Sequence, residues 1–438
     1  MSAPTDLTSL DRMVEQAVAA EERAARTFED AESPLEAHRT VSGLRAIELV
    51  ATLPASLLDA DVVRGMSPWL VRLLYLRLSY PARRTLNEAK RAPLVRPLGG
   101  EARLSSWGET FHAALTEPAP RVGEWFDHLA MAARPFADRV REVESRLGEV
   151  ESRIKEKLPN FSERPSSGSR ALAQDFLDRT DGMHRETFAR GGLVKGGEPT
   201  LGEGIVHGFA REATPSFPSR LTNRWLEELF QVHTKGLTLR FALPRAVAGA
   251  SSFALLLANF GRALRRALAP RTLPFVVRRS PKDLDGERFA ALFGALAASS
   301  AFHRRVLGTS PDRARSDARC VMRALLCEAR LSAARVVLAH EPEALEDVTR
   351  RLFQRPMPEA LRGAWPLARL GDESRFLAYL DGPSLDQELV ELFGDDWFKN
   401  PRAFEWMRAR ATSPADTFDE TKGSPESLAK AFERALFG

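Results

Sequence analysis

Apolar residues in this chain recur at steps of three and four nearly everywhere, a spacing that places them on one face of an α-helix and excludes a strand-dominated fold. The clearest run is Phe136, Val140, Val143, Leu147, Val150 and Ile154, with mostly Glu and Arg between. Such a stripe specifies a long helix packed along a partner, either a helix of the same chain or a second copy. Earlier, Ser33-Pro34-Leu35-Glu36 supplies a helix start with Pro at the first helical position, before Val41, Leu44, Ile47 and Val50. Trp69 to Leu76 is apolar almost all round, as in a buried helix. The expected fold is mainly α, with short strands near residues 237–243 and 275–278.

The breaks give an organisation. Pro159 to Ser169 contains two prolines together with several Ser and a Gly and is expected to continue neither flanking helix. The expected layout is an N-terminal helical region over 1–158 that carries the heptad helix, a linker or loop over 159–169, a helical domain over 170–411, and a C-terminal tail with a short helix over 412–438. Gly192 to Gly197 invites a phosphate-loop reading but lacks the required Gly-Lys-Ser/Thr spacing and a preceding strand, so it reads as a flexible connection.

Charge narrows the partners. Of 438 residues, 63 are basic and 59 acidic, and the two signs are interleaved, so the excess of four forms no stripe suited to nucleic acid. The longest apolar stretch, Ala246 to Phe260, is too short to span a membrane. The first residues hold neither a basic nor an apolar leader segment. The expected setting is the cytoplasm. The only cysteines, Cys320 and Cys327, are two helical turns apart, too far to bridge, and read as buried free thiols. None of the eight histidines, at 38, 112, 128, 184, 207, 233, 303 and 340, forms an i, i+4 pair.

The segment most informative about chemistry is Leu255-Leu256-Leu257-Ala258-Asn259-Phe260-Gly261-Arg262-Ala263-Leu264, followed 25 positions after Arg262 by Glu287 in Asp285-Gly286-Glu287-Arg288-Phe289. It resembles the active-site region of the thimet oligopeptidase and oligoendopeptidase family of zinc peptidases, whose His-Glu-x-x-His helix and downstream Glu hold the metal. Residues 237–243, 175–181, 379–382 and 393–398 resemble further parts of that family, so the likeness covers roughly 170–410. It implies a helical zincin-like bundle in which Ala258 and Arg262 stand at the two His positions, Asn259 at the general base and Glu287 at the third ligand. Tyr379 falls where the family keeps tyrosines that donate to the reaction intermediate, although a core or helix-face role is its ordinary reading.

Three of the four positions that would hold and use a metal have therefore lost the necessary donor. Zinc hydrolysis needs three protein ligands and a base, and Glu287 alone supplies one. The resemblance implies a pseudopeptidase with no catalytic residues, metal or cofactor, kept for binding a peptide or protein. An enzyme of another class assembled from distant His, Glu and Tyr residues, and a purely structural scaffold, are the competing readings. An open channel above 258–287 would favour binding and a filled one the scaffold. If the two helices still pack together, Arg262 is expected beside Glu287, its guanidinium replacing the lost cation. No oligomeric state follows from the sequence.

Overall fold

A computed structural model describes residues 167–190, 211–218, 226, 228–234, 237, 239, 250–270, 283–353, 371–411, 418 and 423–438. All of them belong to one compact unit drawn from 164–270, 282–357 and 371–438. The helices of 1–158, the heptad run 136–154, the glycine-rich stretch 191–204 and the strand segment 275–278 lie outside the described residues. So does most of 237–243, of which Leu237 and Leu239 stand in no regular element.

Every regular element among the described residues is helical. In chain order they are α1 (Ser167–Arg190), a 3-10 turn (Arg211–Ser216), α2 (Gln231–Thr234), α3 (Ala250–Leu268), α4 (Leu284–Ala295), α5 (Ser300–Arg305), α6 (Pro311–His340), α7 (Leu345–Phe353), α8 (Asp372–Phe393), α9 (Pro401–Ala411) and α10 (Pro425–Phe437), with three further 3-10 turns between them. None is long and apolar enough to cross a membrane.

Local chemistry explains the boundaries. Ser310 caps α6 by accepting from the Arg313 amide, and Pro311 occupies the first turn, where its missing N–H costs nothing. Ser424 and Pro425 repeat this arrangement at α10. α8 ends at Gly394, whose φ of 88° lies in the left-handed region that residues with a Cβ avoid.

The 30-residue α6 is the central strut. α1, α5, α7, α8 and α10 all pack on it, while α3 and α4 pair with each other more extensively than any other two helices. Beneath that pair the Phe260 ring stacks on Phe230 at 4.4 Å, and Phe293 meets both edge-on at 5.2 and 5.6 Å. Trp397 and Phe404 extend the cluster from the far side of Phe293. A second cluster, Phe176 with Phe376 and Phe432, joins α1, α8 and α10.

α1 begins at Ser167, within the last three positions of the 159–169 linker or loop and downstream of both its prolines. The short helix expected in the 412–438 tail is α10, which buries Leu428, Ala429, Phe432 and Leu436. Gly423 seats that helix: a Cβ there would lie 2.6 Å from Asp381 Oδ1 and 2.9 Å from the Leu380 carbonyl oxygen. Such crowding is invisible in a one-dimensional pattern.

Candidate functional site

The site forms where α3, α4, α6 and α8 meet. On α3, Leu256, Leu257, Phe260, Ala263 and Leu264 turn inward. Asn259 and Arg262, three positions apart, lie on a partly covered face. The close approach of α3 to α4 depends on Gly261, since a Cβ there would stand 2.3 Å from the Phe289 carbonyl oxygen and 3.1 Å from the Ala290 nitrogen. Further along, the Ala258 methyl lies 3.4 Å from where a Cβ on Gly294 would be. Two glycines and an alanine thus let the helix backbones nearly touch.

α4 presents its acidic first turn to this contact. Asp283 caps it, Oδ1 accepting from the Gly286 amide at 2.8 Å. Burial pushes the Asp283 carboxyl up, against the pull of Arg265 and Arg266. Glu287 sits one turn in, where the positive end of the helix dipole favours a carboxylate.

Arg262 and Glu287 meet there in a two-point ion pair. Arg262 Nε donates to Glu287 Oε1 and Nη2 to Oε2, each at 2.7 Å. The third nitrogen, Nη1, donates to Asn259 Oδ1 at 3.0 Å. Both charged side chains are mostly covered, at 17% and 16% exposure. Burial alone would raise the Glu287 pKa, but Arg375 and Arg262 outweigh it and hold the carboxyl below its ordinary value. Of the positions singled out in the sequence, the structure therefore joins Asn259, Arg262 and Glu287 in one network, with Ala258 one turn away on α3.

Sequence reasoning missed Arg375. It lies on α8, one turn before Tyr379, with its Nε 3.5 Å from Glu287 Oε2. An Arg at i and a Tyr at i+4 share a helix face, which is the signal that could have found it. Tyr379 donates its phenol to Glu328 Oε2 on α6 at 3.3 Å. Burial first, and the Glu328 charge second, push that phenol far above its ordinary value, so it stays protonated. Arg335 on α6 faces Asp372 on α8 at 3.7 Å.

A second buried charge cluster pins α4 to α8. Arg288 Nε donates to Asp381 Oδ2 at 2.6 Å and Nη1 to Asp285 Oδ1 at 2.9 Å, and all three side chains are buried. Removing one partner would strand the others in a medium that solvates charge poorly.

These residues do not fit a zinc ion. Ala258 has no donor atom, Asn259 is committed to Arg262, and a guanidinium occupies both oxygens of the one carboxylate. Among the described residues no group of three or more His, Cys, Asp or Glu is arranged to hold a metal. His184 and His303 are buried individually, their Nε2 atoms paired with the carbonyls of Leu352 and Ala297. His340 ends α6. His207 lies outside the described residues. Cys320 and Cys327 are free and buried, their thiols pushed up by desolvation to about 11 and about 12.

No family model, curated protein or solved structure matches the chain.

Proposed function

We propose that the chain is a catalytically inactive relative of the helical zinc oligopeptidases, with a zincin-like bundle over its second half, retained in the cytoplasm to bind a peptide or protein. What carries this reading is the Arg262–Glu287 pair, formed between the positions that the resemblance assigns to the second His ligand and the third ligand. Loss of zinc from a hydrolytic site leaves a carboxylate that is costly to keep covered and unpaired. A guanidinium with two-point geometry replaces the lost positive charge and fixes the same helix crossing without catalysing anything.

Inactivity follows from the same residues. A metal-bound water needs a base to take its proton, and an amide at Asn259 does not accept one at neutral pH. A structural scaffold is the second reading, favoured by the way Asn259, Arg262 and Glu287 saturate one another. Metal content measured on the wild type and on a variant with both His positions restored tests the first reading.

A further inference from the structure

His303 on α5 is fully buried where α5, α6 and two 3-10 turns meet. Its Nε2 lies 2.8 Å from the carbonyl oxygen of Ala297, in the 3-10 turn Leu296–Ala298. Its ring stands edge-on to Phe217, which follows the turn Arg211–Ser216, with centroids 5.2 Å apart. A carbonyl oxygen only accepts, so Nε2 carries the hydrogen and Nδ1 of the neutral ring is a bare lone pair. That atom is covered and has no hydrogen-bond partner among the described residues. What it faces is a second acceptor, Asp317 Oδ2 on α6, at 3.9 Å. The two atoms become complementary when Nδ1 gains a proton.

Asp317 is itself the clamp on the 211–216 turn. Its buried carboxylate accepts from the Ser216 hydroxyl and from Arg313 Nε, the latter at 3.0 Å. Arg313 Nη2 also donates to the Glu212 carbonyl at 2.5 Å. The same turn seats the start of α3, because Thr214 Oγ1 accepts from the Ala250 amide at 3.4 Å and Phe217 packs on Phe253 with centroids 4.9 Å apart. The carboxylate facing His303 therefore holds, through one short turn, the helix that carries Asn259 and Arg262.

The other charges around α5 are engaged elsewhere. On α6, Asp317 and Arg313 are the charged groups that act on the ring, and the 296–298 turn contains no ionisable residue. Glu212 of the 211–216 turn accepts from the Cys320 thiol at 3.7 Å. Arg304 and Arg305 of α5 turn to Asp395 and Asp396, and Lys399 donates to the Arg305 carbonyl. Burial pushes the His303 pKa below its ordinary 6.5, against the pull of the Ala297 carbonyl and Asp317. The unfolded chain takes up this proton near 6.5 and the folded chain only at lower pH, so the folded arrangement is fully favoured above about 6.5 and weakens as pH falls.

We propose that His303 and Asp317 form an acid-operated latch, in which a proton on Nδ1 draws Asp317 Oδ2 to the imidazolium and away from Ser216, so that the 211–216 turn lets go of α6 and the start of α3 loosens. A charge-assisted bond needs a separation of about 2.8 Å, so the carboxylate must shift by about 1 Å. Arg313, one turn back on the same helix, can follow it; Ser216, on another element, cannot. The latch stands on these contacts alone and does not depend on the pseudopeptidase reading.

The test is amide hydrogen exchange of residues 211–217 and 250–256 in the full chain, from about pH 7.5 to about pH 4.5, corrected for the intrinsic pH dependence of exchange. Protection of both segments is expected to fall at least about tenfold in the wild type as His303 titrates. It should stay constant in His303→Gln, whose amide can still donate to Ala297 but takes up no proton. Ser216→Ala should show the low protection already at neutral pH, with little further loss. Imidazole nitrogen shifts of selectively labelled wild type report the tautomer and the midpoint of His303, which keeps the latch testable if His303→Gln does not fold. A midpoint that coincides with the loss of protection supports the latch. A neutral ring with its hydrogen on Nδ1, a midpoint apart from the loss of protection, or the same loss in His303→Gln overturns it. His184→Gln is expected to behave as wild type in these segments, and constant protection in that variant would assign the effect to His184 and overturn the latch as well.

Discussion

Arg262 and Glu287, on adjacent helices, are joined by two hydrogen bonds of equal length, 2.7 Å each. The pair spans the most extensive helix pairing among the described residues, is more than four-fifths covered, and has a second arginine 3.5 Å from the same carboxylate. Stability should therefore depend on the two residues jointly. Arg262→Gln and Glu287→Gln are each expected to cost about 2–4 kcal/mol, less than a fully buried pair because some water reaches both groups. The double variant should lose less than the sum, with a coupling of about 1–3 kcal/mol in urea unfolding. Additive losses would show that the two side chains do not stabilise one another.

Gly261→Ala probes the helix crossing. The added methyl would meet backbone atoms of Phe289, which cannot rotate away as a side chain could. Overpacking of this kind costs about 1–3 kcal/mol, more than the roughly 1 kcal/mol gained from alanine's helix propensity. A net loss of unfolding free energy is expected, and an unchanged or raised denaturation midpoint would mean that α3 and α4 do not approach so closely.

These two cases mark what the sequence made legible. The spacing from Arg262 to Glu287 and the apolar frame around it were readable through the resemblance, which set the two positions at one site. Gly261 was readable as a glycine, but its crowding by Phe289 and Ala290 depends on the distance between two backbones. Arg375 lies on another helix, 88 positions after the Glu287 it faces, and nothing local marks it except its i, i+4 relation to Tyr379. The bond from Tyr379 to Glu328 and the bond from Arg288 to Asp381 are equally non-local. α10 was legible as a short helix near the C-terminus, whereas its docking on α1, α6 and α8 is non-local and left no mark in the sequence.

Acid sensitivity follows from His184. Burial first, and the nearby Arg330 second, lower its pKa to about 3. The unfolded chain protonates this side chain near its ordinary pKa of about 6.5, whereas the folded chain does not until about 3. The unfolded state therefore binds more protons in that window, and stability is full above about 6.5 and falls as pH drops toward 3, by up to about 1.4 kcal/mol per pH unit. His184→Gln should flatten this part of the stability curve relative to wild type. The same slope in both proteins would show that His184 does not enter the core uncharged.

Glu287 acts in a lower window. Its folded pKa is depressed, so its contribution is present above the ordinary carboxyl range and is lost as pH falls through the folded value. The stability gap between wild type and Glu287→Gln is expected to be constant at neutral pH and to close below about pH 4. A gap that persists to pH 2 would assign the loss to packing and not to charge.

The most direct measurement is zinc content, by mass spectrometry, of wild type, Ala258→His/Arg262→His, and the same double variant with Arg375→Gln added. Arg262→His releases Glu287 and provides, with a His at 258, the i, i+4 ligand pair. Arg375 still places its charge beside Glu287, so the triple variant should hold zinc more tightly than the double. Wild type is expected to carry none and the triple variant about one equivalent. One equivalent of zinc in the wild type, or none in a well-folded triple variant, would contradict descent of this site from a zinc-binding one.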